Sequence, residues 1–274
     1  MMKLIASDLD GTLLDEEKNI RPKTLRYLTM AAEMGVEIVP ATGRICTTIP
    51  EAVSSLGFIN YVIGVNGAEV RNIKTNEVIY QKCMPLSLAQ RICDYFNERN
   101  LMYYAYVGNL CFLSVRHLDR INAEIEDSSY IRLIKRIAHP VEDIRKYITE
   151  NGTEVQKLVL ILNSREERSR LLTQLVADFP ETLITSANMT NIEVNAIGAD
   201  KGTAMLKLAQ HLRISPSETM AFGDGLNDIP MLRDAAIGVA MENADGNVKA
   251  AADYVTLSNE EDGVAEAIRK FVVS

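Results

Sequence analysis

Two patterns of apolar and polar positions share the chain. In the first, short apolar runs alternate with longer amphipathic stretches. Lys3 to Ser7 reads as a buried strand, and Pro22 to Met34 as a helix with proline near its first turn. Val36 to Pro40 and Tyr61 to Val65 are further strands, the latter closed by the turn pair Asn66-Gly67. Near the other terminus, Thr219 to Phe222 and Ala236 to Ala240 repeat the buried-strand pattern. Lys201 to Leu212 carries Leu206, Leu208, Ala209 and Leu212 on one helical stripe. Strands and helices in this alternation predict an α/β architecture with a largely parallel sheet.

The middle of the chain reads differently. A helix over Leu86 to Arg99 precedes two strands, Met102 to Val107 and Cys111 to Val115, joined as a hairpin around Gly108-Asn109. A helix (Leu118 to Asp127), a strand (Val155 to Leu162), a helix (Glu166 to Phe179) and strands at Thr182 to Ser186 and Thr190 to Asn195 follow. This β-rich block of roughly 100 residues is the size of a small domain. It interrupts the outer pattern, so it is expected to be an insertion from Pro85 to Asn188, with residues 1–84 and 189–274 forming one domain.

Composition narrows the function classes. The 274 residues carry 29 Lys and Arg against 37 Asp and Glu, a formal charge of −8. That balance argues against nucleic acid as a partner, because phosphate backbones require clustered Lys and Arg. No apolar run approaches the ~20 residues that cross a bilayer. MMKLIASDLDG is not a secretory signal, and AIRKFVVS has no lipidation motif. A soluble, cytoplasmic protein is the expectation. Cys46, Cys83, Cys93 and Cys111 form no CxxC pair, and His117, His139 and His211 are equally scattered, so no zinc site is predicted. HExxH and GxSxG are absent. Gly223-Asp224-Gly225 lacks the third glycine of a dinucleotide loop, and Lys201-Gly202-Thr203 reverses a Walker lysine.

The candidate chemistry lies at strand ends. Asp8 and Asp10 follow the first strand at a spacing that turns both side chains to one side. Open α/β sheets place ligands at such carboxyl ends, and Gly11 permits an abrupt turn. A bare DxD is ordinarily two aspartates capping a loop. The second cluster, Gly223-Asp224-Gly225-Leu226-Asn227-Asp228, changes that reading because it also follows a buried strand. Two acidic loops in one sheet make an oxygen cage suited to Mg²⁺. Thr42 adds a hydroxyl at a third strand end, and Lys201 adds a cation opening a helix. Together they equip a site for phosphoryl transfer to an aspartate.

DLDGTLL, ATGR, the ADKG of residues 199–202, and GDGLND resemble, in order, the four motifs of the haloacid dehalogenase superfamily, and the arrangement is similar to its Cof-like, type IIB sugar-phosphatase branch. Asn66-Gly67-Ala68, Met241-Glu242-Asn243-Ala244 and Glu261-Asp262-Gly263-Val264 also resemble that branch. The resemblance implies a Rossmann-like core with an inserted α/β cap of type C2. It implies Asp8 as nucleophile, Asp10 as acid/base, and Lys201 in the catalytic set. Mg²⁺ would be held by the Asp8 carboxylate, the Asp10 carbonyl oxygen and Asp224. Thr42, Gly43 and Asn227 would contact substrate, and Asp228 would support the metal and lysine. The implied activity is Mg²⁺-dependent hydrolysis of a small phosphorylated metabolite, sugar phosphates first. A phosphomutase with the same intermediate and a non-catalytic phosphometabolite-binding regulator are the alternatives. Arg44 is balanced between phosphate contact and an ion pair. Arg132, Lys135 and Arg136 read as a solvated basic face, Tyr103, Tyr104 and Tyr106 as sheet packing, and Met30, Met34 and Met205 as core filling. Glu193 and Asn195 are weaker candidates for the cleft. The sequence assigns neither oligomeric state nor specificity residues.

Overall fold

The computed structural model describes residues 1–125, 128–186 and 191–273. These divide into two compact units, one formed by Met1–Gln81 with Asp200–Ser274 and the other by Lys82–Ala199. No helix among the described residues is long and apolar enough to cross a membrane.

The first unit is built on a five-stranded sheet. Its order is Tyr254–Val255, Ile237–Ala240, Thr219–Gly223, Leu4–Ser7, Glu37–Pro40. Every neighbouring pair is parallel. Strands that read LIAS and TMAFG, with no exposed residue, are what a sheet covered on both faces requires. Alternate side chains enter two separate cores. Ile5, Ile38, Met220, Phe222 and Val239 pack with Leu28, Val264 and Ile268. Leu4, Ala6, Val39 and Ala221 pack with Met205, Leu208, Met231 and Leu232. The observed helices Pro22–Glu33 and Lys201–His211 supply one side chain set to each core. Of the methionines expected to fill gaps, Met205 is fully buried, whereas Met34 is 43% exposed at the helix end.

The strand Tyr61–Gly64 departs from the expected parallel pattern. It pairs antiparallel with Glu69–Asn72, which pairs with Val78–Gln81, in a separate three-stranded sheet. Val65, Asn66 and Gly67 all have positive φ and reverse the chain there. Toward the five-stranded sheet the Tyr61–Gly64 strand makes an isolated parallel bridge, Ile63 with Ala41. The two added strands read EVRN and VIYQ, and neither is fully buried, so neither shows the unbroken buried apolar run of the central strands.

The second unit carries a six-stranded mixed sheet. Its order is Thr182–Thr185, Asn191–Ala196, Lys157–Ile161, Met102–Val107, Leu110–Ser114, Ala138–Val141. All pairs are antiparallel except the last. The hairpin at Gly108-Asn109 has positive φ at both turn residues, which matches a right-twisted two-residue loop. Tyr103 is fully buried against Phe96 and His117, and Tyr104 bonds Tyr130, so these tyrosines pack the sheet. The helix expected over Leu118 to Asp127 runs from Val115 to Glu124, and Asp127 lies outside the described residues.

The return to the first unit needs a correction. The expected boundary at 188/189 lies outside the described residues, but Asn191–Ala196 is hydrogen-bonded into the second sheet, and the first unit resumes at Asp200. That strand reads NIEVNA with all six residues buried. Its alternating polar side chains obscure its place in a sheet interior, where Lys157 pairs with Glu193 at 2.8 Å.

Candidate active site

Parallel register brings three strand ends together. Ser7 is in register with Phe222 on one side and Pro40 on the other. Asp8, Asp224 and the Ala41-Thr42 turn therefore emerge at one edge of the sheet. Asp8 N donates to Phe222 O at 3.0 Å, and Ala41 N donates to Ser7 O at 2.7 Å. This is the carboxyl edge, where strand-following loops converge on a ligand.

Lys201 joins this edge from the first position of its helix, which Asp200 caps by accepting from Thr203 N at 2.8 Å. Its ammonium donates to Asp8 Oδ1 at 2.5 Å and to Asp228 Oδ1 at 2.6 Å, with the lysine and Asp228 side chains fully buried. The other Asp228 oxygen accepts from the main-chain N of Asp224 (3.0 Å) and Gly225 (2.8 Å). Asp228 thus closes its own loop. Gly223 makes that closure possible, since a Cβ there would lie 2.3 Å from the Asp228 Cβ.

Asp8, Asp224 and Asp228 each offer an oxygen within 4.8 Å of the others, and among the described residues they form the acidic group able to hold a metal ion. Burial pushes the Asp8 carboxyl well above its usual range; Lys201 opposes that, and Asp228 and Asp224 add to it. Burial also raises Asp224 to about 6, against a hydrogen bond from Thr12 and with the charge of Asp228. Burial works against the Lys201 ammonium, but Asp228 and Asp8 outweigh it and hold the lysine charged above its ordinary value. With all three carboxyls ionised, the charge exceeds that of the one ammonium by two, an excess that a divalent cation would balance and that would favour the ionised forms. Hard carboxylate oxygens are the donors such an ion prefers. Because Asp228 is already engaged on both oxygens, Asp8 and Asp224 are the side chains best suited to ligate.

Asp10 points elsewhere. Arg44 grips its carboxylate with two donors, Nε to Oδ2 and Nη2 to Oδ1, both at 2.8 Å, and Lys18 Nζ reaches Oδ1 at 2.9 Å. Burial raises this carboxyl, yet Arg44 and then Lys18 outweigh burial and leave it below the usual value. Arg44 thus stands in an ion pair with Asp10, half-buried rather than at the surface. Arg44 also links Asp10 to Thr42, because its main-chain N donates to Thr42 Oγ1 at 3.2 Å. Thr42 is buried and held by its N to Ile63 O at 2.8 Å. Gly43 lies between Thr42 and Arg44 on the same turn, and Asn227 Nδ2 donates to Asn66 Oδ1 at 3.2 Å. Asp8, Asp10, Thr42, Gly43, Lys201, Asp224, Asn227 and Asp228 therefore all belong to the first unit. Glu193 and Asn195 belong to the second.

Some participants carry no signal that spacing alone could have singled out. Thr12 donates to Asp224 Oδ1 at 2.7 Å. Lys18 reaches Asp10 from an exposed turn where its φ is +66°. Asn66 would have been found through its NGA motif, had the turn been read as holding Asn227.

The residues 5–268 match the family model of the haloacid dehalogenase-like hydrolases. The chain is 34% identical over 272 residues to the 5-amino-6-(5-phospho-D-ribitylamino)uracil phosphatase YcsE of Bacillus subtilis, covering 99% of this chain and 96% of that one. Its fold is similar to that of the subclass IIB sugar phosphatase BT4131, with a TM-score of 0.83, 27% identity and complete coverage of both chains. It is also similar, at a TM-score of 0.84, 27% identity and complete coverage of both, to a structure solved in work on a trigonal-bipyramidal intermediate in a phosphoryl-transfer superfamily.

Proposed function

Since the chain belongs to the haloacid dehalogenase-like hydrolases and is a phosphatase of phosphoric monoesters, we propose that it hydrolyses a phosphorylated sugar or polyol through an aspartyl-phosphate on Asp8, with Mg²⁺ as its metal. The observation that carries this reading is the buried Asp8–Lys201–Asp228 contact at the carboxyl edge, with Asp224 beside it.

An Asp8 carboxylate approaching a phosphate dianion meets two like charges. At ~4 Å and an effective dielectric near 20, each unit pair costs about 4 kcal/mol. Left unopposed, about 8 kcal/mol would slow the reaction by more than five decades. Lys201, itself fully buried, supplies one compensating charge. Mg²⁺ bound by the carboxylates of Asp8 and Asp224, with the Asp10 main-chain oxygen, would supply the remaining positive charge. Thr42 and Gly43 would hold the phosphoryl oxygens from the neighbouring turn, with Asn227 on the opposite side.

Asp10 is the acid/base in this reading. Its carboxyl would deliver a proton to the departing alkoxide oxygen, then as carboxylate take one from the water that attacks the phosphoaspartate. With no substrate bound, the grip of Arg44 and Lys18 holds it in the carboxylate form, so one oxygen must leave Arg44 and take up a proton from solvent before Asp10 can act as the acid. The proton later taken from the attacking water restores that acid form.

Two relatives support the substrate class. One acts on a phosphorylated ribityl chain and another is a sugar phosphatase, and both leaving groups are polyhydroxylated carbon chains. A phosphate-release screen with Mg²⁺ tests the reading, using hexose, pentose and polyol phosphates beside nucleotides and phosphoamino acids. Polyol and sugar phosphates should give the highest kcat/KM, and Asp8→Asn should release no phosphate. Preference for nucleotides would overturn the substrate class, and an active Asp8→Asn would overturn the mechanism.

A further inference from the structure

The loop that carries Asp10 is held from outside itself. After Asp8 the chain turns back, with Leu13 N donating to Asp8 O at 3.2 Å, Leu14 N to Leu9 O at 2.9 Å, and Gly11 at φ +86°. Two of its carbonyls are met by asparagines from the far end of the sequence. Asn243 Nδ2 donates to Gly11 O at 2.8 Å, and Asn259 Nδ2 donates to Leu14 O at 2.9 Å. The two asparagines are themselves joined, Asn259 N donating to Asn243 Oδ1 at 3.2 Å. Beyond them, Glu16 N donates to Glu260 Oε1 at 2.8 Å. On its other side the same loop is tied to Asp224 through the Thr12 hydroxyl.

Asn243 is exposed. An exposed amide-to-carbonyl bond contributes little to folding, because water can replace either partner. Its effect is geometric. The Gly11 carbonyl belongs to the Gly11–Thr12 peptide, so holding it restrains the backbone that carries Thr12 and, one residue before Gly11, Asp10. One of those handles the proton, and the other holds a metal-ligating carboxylate.

We propose that Asn243 and Asn259 are positioning residues for phosphoryl transfer, an amide clamp that keeps Asp10 and Asp224 aligned with Asp8. The proposal rests on the roles of Asp8 and Asp10 given above. Neither asparagine touches the reacting atoms. Their contribution passes through the loop, and a misplacement near 1 Å in such a constellation costs on the order of 10²-fold in rate.

Asn243→Asp tests the clamp. It preserves size but sets a carboxylate oxygen where the donor was, acceptor against the Gly11 carbonyl. Asn243→Ala and Asn259→Ala serve as independent truncations. With p-nitrophenyl phosphate and Mg²⁺, kcat should fall about 10- to 100-fold in each variant. KM and the urea midpoint should stay close to those of the wild type. The Asn243→Ala/Asn259→Ala double variant should lose little more than the worse single variant, since both act through one loop. Wild-type kcat in Asn243→Asp, a loss that tracks the unfolded fraction, or full additivity in the double variant would each overturn the clamp. Asp8→Asn, run alongside, separates the two readings. An inactive Asp8→Asn with a fully active Asn243→Asp removes the clamp alone, whereas an active Asp8→Asn removes the mechanism on which it rests.

Discussion

Replacing Lys201 with methionine should be among the most damaging single changes available to this chain. The ammonium lies 2.5 Å from Asp8 Oδ1 and 2.6 Å from Asp228 Oδ1, and the Asp8, Asp228 and lysine side chains are 12%, 0% and 0% exposed. Methionine fills the space of the stem but leaves two carboxylates buried without a cation. Removing one partner of a buried pair costs about 3–5 kcal/mol, most of it the penalty of the orphaned charge. Urea unfolding followed by far-UV circular dichroism, with chelator present, should show that loss in the transition of the first unit. A second substitution gives the sharper check. Asp228→Asn in the Lys201→Met background removes one of the orphaned charges, so the double variant should be less destabilised than the sum of the two singles. In turnover, losing one charge pair worth about 4 kcal/mol predicts a kcat lower by about 10³-fold. A Lys201→Met variant within about 1 kcal/mol of wild type, well below the range for a broken buried pair, would refute the reasoning. Strict additivity with Asp228→Asn would do so as well.

Other outcomes follow from the same geometry. Chelation should abolish turnover and Mg²⁺ should restore it, while Asp224→Asn should weaken the Mg²⁺ dependence of activity; full activity in chelator would contradict the metal assignment. Arg44→Lys keeps the charge but loses the two-point grip on Asp10, so kcat should fall about tenfold with the fold intact; unchanged steady-state kinetics would show that the grip has no role. His117 is buried beside Tyr103, and burial lowers it to about 4 from an ordinary 6.5. Below pH 6.5 the unfolded chain takes up a proton that the folded chain refuses. Stability is therefore full above pH 6.5 and falls by up to about 3 kcal/mol as pH drops toward 4. His117→Gln should flatten that part of the urea-midpoint profile, and parallel profiles for the two proteins would contradict it.

The central sheet and the identity of its acidic loops were legible because both rest on local patterns. Strands such as LIAS and TMAFG are buried on both faces and therefore read as unbroken apolar runs, and each ends on its chemical residue. The alternation of strand and helix then places those ends at one edge. What could not be read depends on side chains meeting across long separations. Nothing in Arg44 distinguishes a phosphate contact from its grip on Asp10, because the choice is made by how two loops fold toward each other. The strand Asn191–Ala196 hid its membership in the second sheet for a related reason. Its buried Asn191, Glu193 and Asn195 are polar, and burial of polar groups is set by partners such as Lys157 that only the tertiary structure supplies. The motif around Asn243 was visible, but its use as a brace for the Gly11 carbonyl was not.

The aspartyl-phosphate is the claim on which the rest depends. Rapid mixing of enzyme, Mg²⁺ and a phosphorylated substrate, followed by acid quench and peptide mass spectrometry, would locate the phosphoryl group directly. The account predicts phosphorylation of the peptide containing Asp8, mapped to that carboxylate, and its absence in Asp8→Asn. A phosphoryl group on another residue would contradict it, as would wild-type turnover in Asp8→Asn.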